Sequence, residues 1–116
     1  MAKKPAYYRN KCDKLTQEWG RRTYDKCLVC PKPMNVLHHY FPKSVSSALR
    51  YDEENLIPLC KDCHFAHHSK SDPKVHNAIN DIKGKAWRSR LLKKKEDYVK
   101  TNIGYYKGII DSYRTN

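Results

Sequence analysis

Two cysteine pairs of identical spacing, Cys27-Leu-Val-Cys30 and Cys60-Lys-Asp-Cys63, decide how this chain folds. A C-x-x-C turn presents two thiolates to one metal ion, and a second such turn completes the tetrahedral shell that Zn²⁺ prefers. Because cysteine fills all four positions, the spacing predicts a closed, structural zinc site rather than a catalytic one. A redox role would account for one pair and leave the other unexplained.

The composition explains why the chain needs such a metal site. It has 116 residues, of which 39% are hydrophobic, so it fits one compact domain with a thin core. The fifth cysteine, Cys12, is left over and is expected to be free. An odd number of cysteines and an N-terminus without an apolar stretch argue against a disulfide framework and a secretion signal. They predict a reducing, cytoplasmic location.

The charge of the chain points to a polyanionic partner. Lys and Arg number 24 against 12 Asp and Glu, which gives a net charge of +12. One Zn²⁺ on four thiolates would lower it to about +10. Such an excess favours nucleic acid or an anionic membrane surface. The chain contains no run of about 20 apolar residues, so we expect no membrane-spanning segment.

Hydrophobic periodicity divides the chain into three parts. We predict a flexible basic arm at 1–8, a zinc-binding core at 9–82 and a basic helical extension at 83–116. Within them the patterns predict helices at 9–23, 61–69, 72–82 (capped by Asp72) and 97–114, a strand at 35–41 and a loop at 43–54. The last helix has apolar residues three or four apart, and this face leads to the hypothesis of a homodimer.

Two adjacent histidines lie on the predicted strand. Side chains of neighbouring strand residues point to opposite faces. One of His38 and His39 can therefore bind a metal while the other faces a substrate water. Asn55 falls where the chain turns between this strand and the following helix, and we expect its amide to bridge the loop backbone and hold the histidine strand in place.

The helix after the second cysteine pair carries further histidines. His64 and His68 are four residues apart and share one face, which suits two ligands of a single metal ion. His67 lies about 100° round the helix from His68 and could replace it less well. Otherwise we expect His67, like His76, at the surface.

The cysteine pairs, the His38-His39 pair, Asn55, His64 and His68 together resemble the HNH (ββα-metal) endonuclease superfamily in its zinc-bound form. The resemblance implies a small α+β fold, in which a ββα-metal core with four-cysteine zinc knuckles is flanked by N-terminal and C-terminal helices.

A closer resemblance is to the phage NinG (Rap-type) recombination endonucleases. It rests on Lys11-Cys-Asp-Lys-Leu15, Leu49-Arg-Tyr-Asp-Glu-Glu-Asn55 and Lys83-Gly84-x-x-Trp87. His38 and His64 depart from the residues usual in that subfamily and match the general HNH pattern.

The resemblance implies a metal-dependent endonuclease that hydrolyses DNA phosphodiester bonds. His39 would be the general base and Asn55 would position its strand, while His38, His64 and His68 would hold the catalytic ion. Mg²⁺ or Mn²⁺ is expected there, and imidazole donors also suit Ni²⁺, Co²⁺ or Zn²⁺. The chain has no obvious sequence-reading module. We therefore expect cleavage or nicking of structured DNA, unspecific cleavage, or cleavage directed by a partner protein, in the cytoplasm of a bacterial host cell.

A basic stretch follows the core and predicts phosphate contacts. The predicted DNA-binding residues are Arg50, Lys83, Lys85, Arg88, Arg90, Lys93 and Lys94. Trp87 among them suits either a core anchor or a stacking surface for a base. The alternative function is a zinc-stapled nucleic-acid-binding protein without catalysis. It would use the same cysteines and basic stretch, but it has no need for His39 beside His38.

Overall fold

The computed structural model describes residues 2–68 and 73–114, with the exception of the side chain of His68. Within this part the protein is a small α+β fold with five α-helices and a two-stranded antiparallel sheet, which confirms the predicted fold class. The elements are, in order, α1 (Pro5–Thr23), β1 (Val36–His39), a 3-10 turn (Glu53–Asn55), β2 (Leu56–Leu59), α2 (Lys61–His68), α3 (Lys74–Lys83), α4 (Lys85–Lys95) and α5 (Ile103–Arg114). None of these helices combines the length and apolar character needed to cross a bilayer. The predicted cap Asp72 lies outside the described residues.

The sheet puts the two histidines opposite a buried strand. His38 pairs with Ile57 and His39 with Leu56. All four residues of β2 are buried, as expected for a short, continuous apolar run. β1 is shorter than the predicted strand because the Phe41 amide donates to the Asn55 side chain (2.8 Å) and not to a neighbouring strand.

A proline marks the start of the first helix, and an asparagine cap marks the start of the last. α1 begins at Pro5, a residue favoured at the first helical position, so residues 5–8 are helical and not part of a flexible arm. α5 begins at Ile103 and not at residue 97. Its start is set by Asn102, whose side-chain oxygen accepts a hydrogen bond from the Tyr105 amide (2.8 Å) in the manner of an N-cap.

The apolar face of α5 is used inside the chain. Its buried residues Tyr106 and Ile110 form one cluster with Cys12 of α1. The thiol of Cys12 is free, as predicted, and donates to the Tyr106 carbonyl oxygen (3.2 Å). The face that led to the homodimer hypothesis therefore packs against α1.

The basic extension is anchored to the core through a tryptophan. Gly84 takes a φ of 89°, which favours glycine, and separates α3 from α4. Trp87 of α4 is buried with Tyr40, and its indole nitrogen donates to the Glu54 carbonyl oxygen (2.7 Å). Of the two roles left open by the sequence, Trp87 has that of a core anchor.

Gly20 marks the closest approach of α1 to the sheet, and we expect Gly20→Ala to destabilise the protein. A Cβ at this position would clash with the buried side chain of Leu37. Overpacking costs about 1–3 kcal/mol, which exceeds the gain of about 1 kcal/mol from removing a helical glycine. After subtraction of that gain, urea unfolding should show a free energy of unfolding lower by up to about 2 kcal/mol.

Gly108 provides the matched control, because it also lies within a helix but a Cβ there meets no atom within 4 Å. Gly108→Ala should raise the free energy of unfolding by up to about 1 kcal/mol. If both variants shifted stability in the same direction, the close packing of α1 on Leu37 would be refuted.

Candidate active site and metal centre

The four paired cysteines converge on one point. The sulfur atoms of Cys27, Cys30, Cys60 and Cys63 all lie within 4.8 Å of one another. Cys30 Sγ is 3.6 Å from the sulfur atoms of both Cys60 and Cys63. A Zn–S bond of about 2.3 Å gives an edge of about 3.8 Å in a tetrahedral site. The cluster is therefore arranged to hold a metal ion, and its size and all-sulfur donor set fit structural Zn²⁺.

Backbone and side-chain hydrogen bonds shape the two cysteine turns. In the first, the Cys27 amide donates to the Lys32 carbonyl oxygen (2.9 Å). In the second, the Lys61 amide at the start of α2 donates to the Asn35 side chain (2.9 Å). The Cys63 amide also points at Cys60 Sγ (3.4 Å). The bond from Lys61 to Asn35 thus holds the start of α2 next to the residue that precedes β1.

The two histidines of β1 have different surroundings. His38 is 7% exposed and its ring contacts the ring of His64 edge-on, with 5.3 Å between centroids. His39 is half-buried, and its Nε2 lies 2.9 Å from the Arg50 carbonyl oxygen. A carbonyl oxygen accepts hydrogen bonds and cannot donate them. Nε2 of His39 therefore carries the proton, and in the neutral ring Nδ1 keeps its lone pair.

Burial lowers the pKa of His39 below its usual value, although the hydrogen bond to the Arg50 carbonyl opposes this shift. The nearby cations Lys43 and Arg50 lower the pKa further, and Asp13 raises it. The neutral form, which can accept a proton at Nδ1, is thereby favoured over the charged form near pH 7.

A third ring joins the histidine cluster. His67 lies against His38, with 4.3 Å between ring centroids, and stacks on His76 of α3 at 5.9 Å. His76 in turn stacks on Tyr40 (5.4 Å). Both His67 and His76 are half-buried, so the expectation that they are surface residues is wrong. The side chain of His68, the predicted third ligand, lies outside the described residues.

A shallow cavity of about 290 Å³ opens over these histidines. Its lining includes His38, His39 and His64, and also Lys43 and Gln17. Gln17 belongs to α1 and makes two 2.9 Å bonds to the backbone of β1, accepting from the Leu37 amide and donating to the Leu37 carbonyl. The structure thus brings three of the predicted site residues to one cavity and adds a wall from the N-terminal helix.

Asn55 is fully buried behind the histidine strand. Its amide nitrogen donates to the carbonyl oxygens of Phe41 (3.1 Å) and Leu49 (3.0 Å), and its side-chain oxygen accepts from the Phe41 amide. These bonds tie the end of β1 to the far end of the 42–54 loop. Asn55 does not line the cavity, and it contacts the backbone that carries His39 and not the histidine itself.

Arg50 turns away from the cavity and towards α1. Its guanidinium makes a two-point contact with the Asp13 carboxylate (2.6 and 3.1 Å), which also accepts from the Tyr51 hydroxyl (2.8 Å). Burial alone would raise the pKa of Asp13, but the bonds from Arg50 and Tyr51 outweigh burial and lower it. The described contribution of Arg50 to the site is its backbone carbonyl, which orients His39.

The predicted DNA-binding residues of the basic stretch lie along the end of α3 and on α4. Lys83 is half-buried, and Lys85, Arg88 and Lys93 are exposed. The other two are paired with the turn that precedes β2: Arg90 with Glu54 (3.1 Å) and Lys94 with Asp52. Part of the basic stretch thus holds α4 against the turn that carries Asn55.

Sequence reasoning missed Gln17, Lys43 and the contact between His67 and His38. Gln17 carries no recognisable signal, because only the fold brings α1 to the strand. Lys43 carries none either, because nothing in the pattern distinguishes it from the other lysines of the chain. The third had a signal in the spacing, since His67 is three residues after His64 and so falls on a neighbouring part of the same helix surface.

Comparison with known proteins agrees with this geometry. The searches among curated proteins and among solved structures found no match. Residues 27–70 match the family model of the HNH endonuclease. This span contains both cysteine pairs, the sheet, the turn with Asn55, and α2. It therefore includes the metal cluster and every residue that lines the histidine cavity except Gln17.

Proposed function

We propose that this chain is a metal-dependent endonuclease that hydrolyses DNA phosphodiester bonds. The observation that carries the proposal is the state of His39. Its Nε2 is committed to the Arg50 carbonyl at a cavity shared with His38 and His64. A zinc-stapled binding protein without catalysis has no use for this arrangement. The NinG-like recombination role, the bacterial location and a directing partner protein remain predictions from the sequence. A homodimer is not part of the proposal, because the α5 face that suggested it packs against α1.

His39 is the proposed general base. The hydrogen bond to Arg50 fixes both the tautomer and the orientation of the ring, so Nδ1 is the atom that takes the proton of the attacking water. The bond also gives the imidazolium formed after proton transfer a fixed acceptor. Lys43, which lines the same cavity and is exposed, supplies a positive charge for the phosphate.

His38 and His64 are the proposed holders of the catalytic ion, with His67 beside them. Neutral imidazoles suit Mn²⁺, Ni²⁺, Co²⁺ and Zn²⁺, and a partly filled shell also admits Mg²⁺ when substrate oxygens complete it. When bound, such an ion supplies Lewis-acid stabilisation of the phosphate and of the leaving oxygen. We infer that the cysteine cluster holds a separate Zn²⁺ with a purely structural role.

Asn55 is a positioning residue in this proposal. Its three hydrogen bonds close the loop between β1 and the 3-10 turn, and the same loop carries the Arg50 carbonyl that orients His39. α4 reinforces the turn through the indole of Trp87. The side chains of Asn55 and Trp87 therefore stabilise the loop and the turn that position the proposed base.

The proposal is tested by nicking of supercoiled plasmid DNA with zinc-loaded protein. Mg²⁺, Mn²⁺, Ni²⁺ or additional Zn²⁺ is supplied in separate reactions, and the assay is repeated on branched DNA. We expect relaxed or linear product with at least one of these ions and none without added ion. If the protein bound DNA but produced no nick with any of them, the binding-protein alternative would replace the nuclease proposal.

A metal titration tests the histidine site without measuring cleavage. Mn²⁺ is titrated calorimetrically into zinc-loaded protein. We expect His64→Ala to abolish detectable binding, because the variant removes one proposed ligand next to the buried His38. His67→Ala should weaken binding about 10–100-fold, as expected when a group that supports a ligand is lost.

His76→Ala serves as the comparison in this titration, because His76 stacks on His67 and on Tyr40 and is not among the residues that line the cavity. We expect His76→Ala to weaken Mn²⁺ binding less than His67→Ala does. Unchanged Mn²⁺ affinity in His64→Ala would exclude the proposed ligand set, whatever the nicking assay shows.

A further inference from the structure

We infer that the DNA backbone crosses α1 beside the histidine cavity, with Lys14 and Arg21 binding phosphates on either side of Gln17. This inference rests on the proposed function and adds to it a substrate-binding surface outside the residues 27–70 matched by the family model. The sequence-based prediction had assigned the phosphate contacts mainly to the 83–95 region.

α1 has a fixed position beside the cavity. Gln17 lines the cavity together with His38 and His39, and its two bonds to the Leu37 backbone act like an added strand partner. Gly20 lets the helix approach Leu37 closely on the next turn. Contacts on two consecutive turns of α1, at Gln17 and at Gly20, therefore fix the position of this helix relative to the cavity.

Helix geometry places Lys14 and Arg21 on the side of α1 that carries Gln17. Successive residues are rotated by about 100°, so Lys14 lies about 60° and Arg21 about 40° from Gln17 round the helix axis. With a rise of about 1.5 Å per residue, they are displaced by about 4.5 Å and about 6 Å in opposite directions along that axis. The two cations thus bracket the cavity wall on the same side of the helix.

The charges of Lys14 and Arg21 are accessible to a ligand. Lys14 and Arg21 are exposed, and no ion pair involves either of them among the described side chains. Round the helix axis the nearest acidic residue is Glu18, about 40° from Lys14 and about 60° from Arg21, and it is in no ion pair among the described side chains. Asp13 lies farther round the axis from both cations and is occupied by Arg50.

Lys43 extends this surface across the cavity. Its ammonium lies 3.8 Å from Asp13, a carboxylate already held at 2.6 Å by Arg50, and its side chain is 46% exposed. The cavity lining, as far as the structure describes it, includes Gln17 of α1 and the cation Lys43 but no residue of α4. Lys43 thus brings a positive charge to the cavity itself, and Gln17 brings α1, with Lys14 and Arg21, to its edge.

The test measures binding of a short fluorescein-labelled DNA duplex by anisotropy at several salt concentrations. Zinc-loaded protein is used without the catalytic ion, so that no cleavage interferes. Each phosphate contact contributes about 0.9 to the slope of log K against log salt concentration. For the double variant Lys14→Ala/Arg21→Ala, we expect a slope smaller in magnitude by about 2 and at least tenfold weaker binding at low salt.

Lys11→Ala/Arg22→Ala is the matched control. It removes the same charge from the same helix, but at about 120° and about 140° from Gln17. Its slope should stay within about 1 of the wild type. Equal slopes for both double variants would mean that net charge and not this surface governs binding, and would overturn the inference.

Different results would overturn the nuclease proposal and the DNA-binding surface on α1. If wild type binds DNA with the expected slopes but never nicks plasmid, the nuclease proposal falls and the surface assignment stands. If Lys14→Ala/Arg21→Ala binds DNA like wild type, the surface assignment falls whether or not the protein cuts. Binding of wild type to anionic vesicles but not to DNA would also overturn it.

Discussion

His39→Ala should lower the rate of plasmid nicking by about 10²–10⁴-fold, the range that a general base contributes. This corresponds to about 3–5 kcal/mol of transition-state stabilisation. The variant should stay folded, because His39 is only half-buried and lies at the end of β1. It should also bind Mn²⁺ and duplex DNA like wild type, since the proposed ligands and the α1 surface are unchanged. Single-turnover nicking at saturating metal measures the effect.

His39→Gln separates the chemistry of the base from its hydrogen bond. A glutamine amide nitrogen can occupy the place of Nε2 and donate to the Arg50 carbonyl, but an amide has no basic lone pair. We expect His39→Gln to be as inactive as His39→Ala. If it nicked plasmid at the wild-type rate, His39 would be a structural anchor for the 42–54 loop, and another group would have to activate the water.

The parts of this fold that the sequence predicted are those governed by short-range rules. The two C-x-x-C spacings predicted a cluster that the structure confirms, because each turn sets its own thiolate geometry. The helix predicted at 61–69 corresponds to α2 at Lys61–His68. The strand predicted at 35–41 corresponds to β1 at Val36–His39, which the structure pairs with Leu56–Leu59.

The parts that could not be predicted depend on contacts between distant segments. Gln17 reaches the β1 backbone across 20 residues, and no periodicity marks a glutamine that completes a sheet edge. Arg50 carried the general signal of a phosphate-binding residue, yet its partner is Asp13, 37 residues earlier. In each case the role of the side chain depends on how α1 packs against residues 27–70. No short stretch of sequence determines this packing.

Removal of the metal from the cysteine cluster should abolish cooperative folding. Structural zinc contributes about 10–16 kcal/mol in small zinc domains, which is as much as the whole stability of a typical domain. The chain should contain one zinc per molecule by elemental analysis, and Cys63→Ala or prolonged chelation should eliminate the sharp thermal transition in circular dichroism. Because His64 follows Cys63 on α2, Mn²⁺ binding at the histidines should be lost together with the zinc.

Cys12→Ala is the control for thiol removal. Cys12 lies on α1, outside the metal cluster, and packs against α5. The variant should keep one zinc and a cooperative transition, with a stability loss of about 1–2 kcal/mol typical of a small buried truncation. The contrast with Cys63→Ala distinguishes a metal site from four buried thiols. If a zinc-free protein kept its sharp transition and its Mn²⁺ affinity, the cysteines would be ordinary core residues. The histidine cavity would then be held by the sheet and the Asn55 bonds alone.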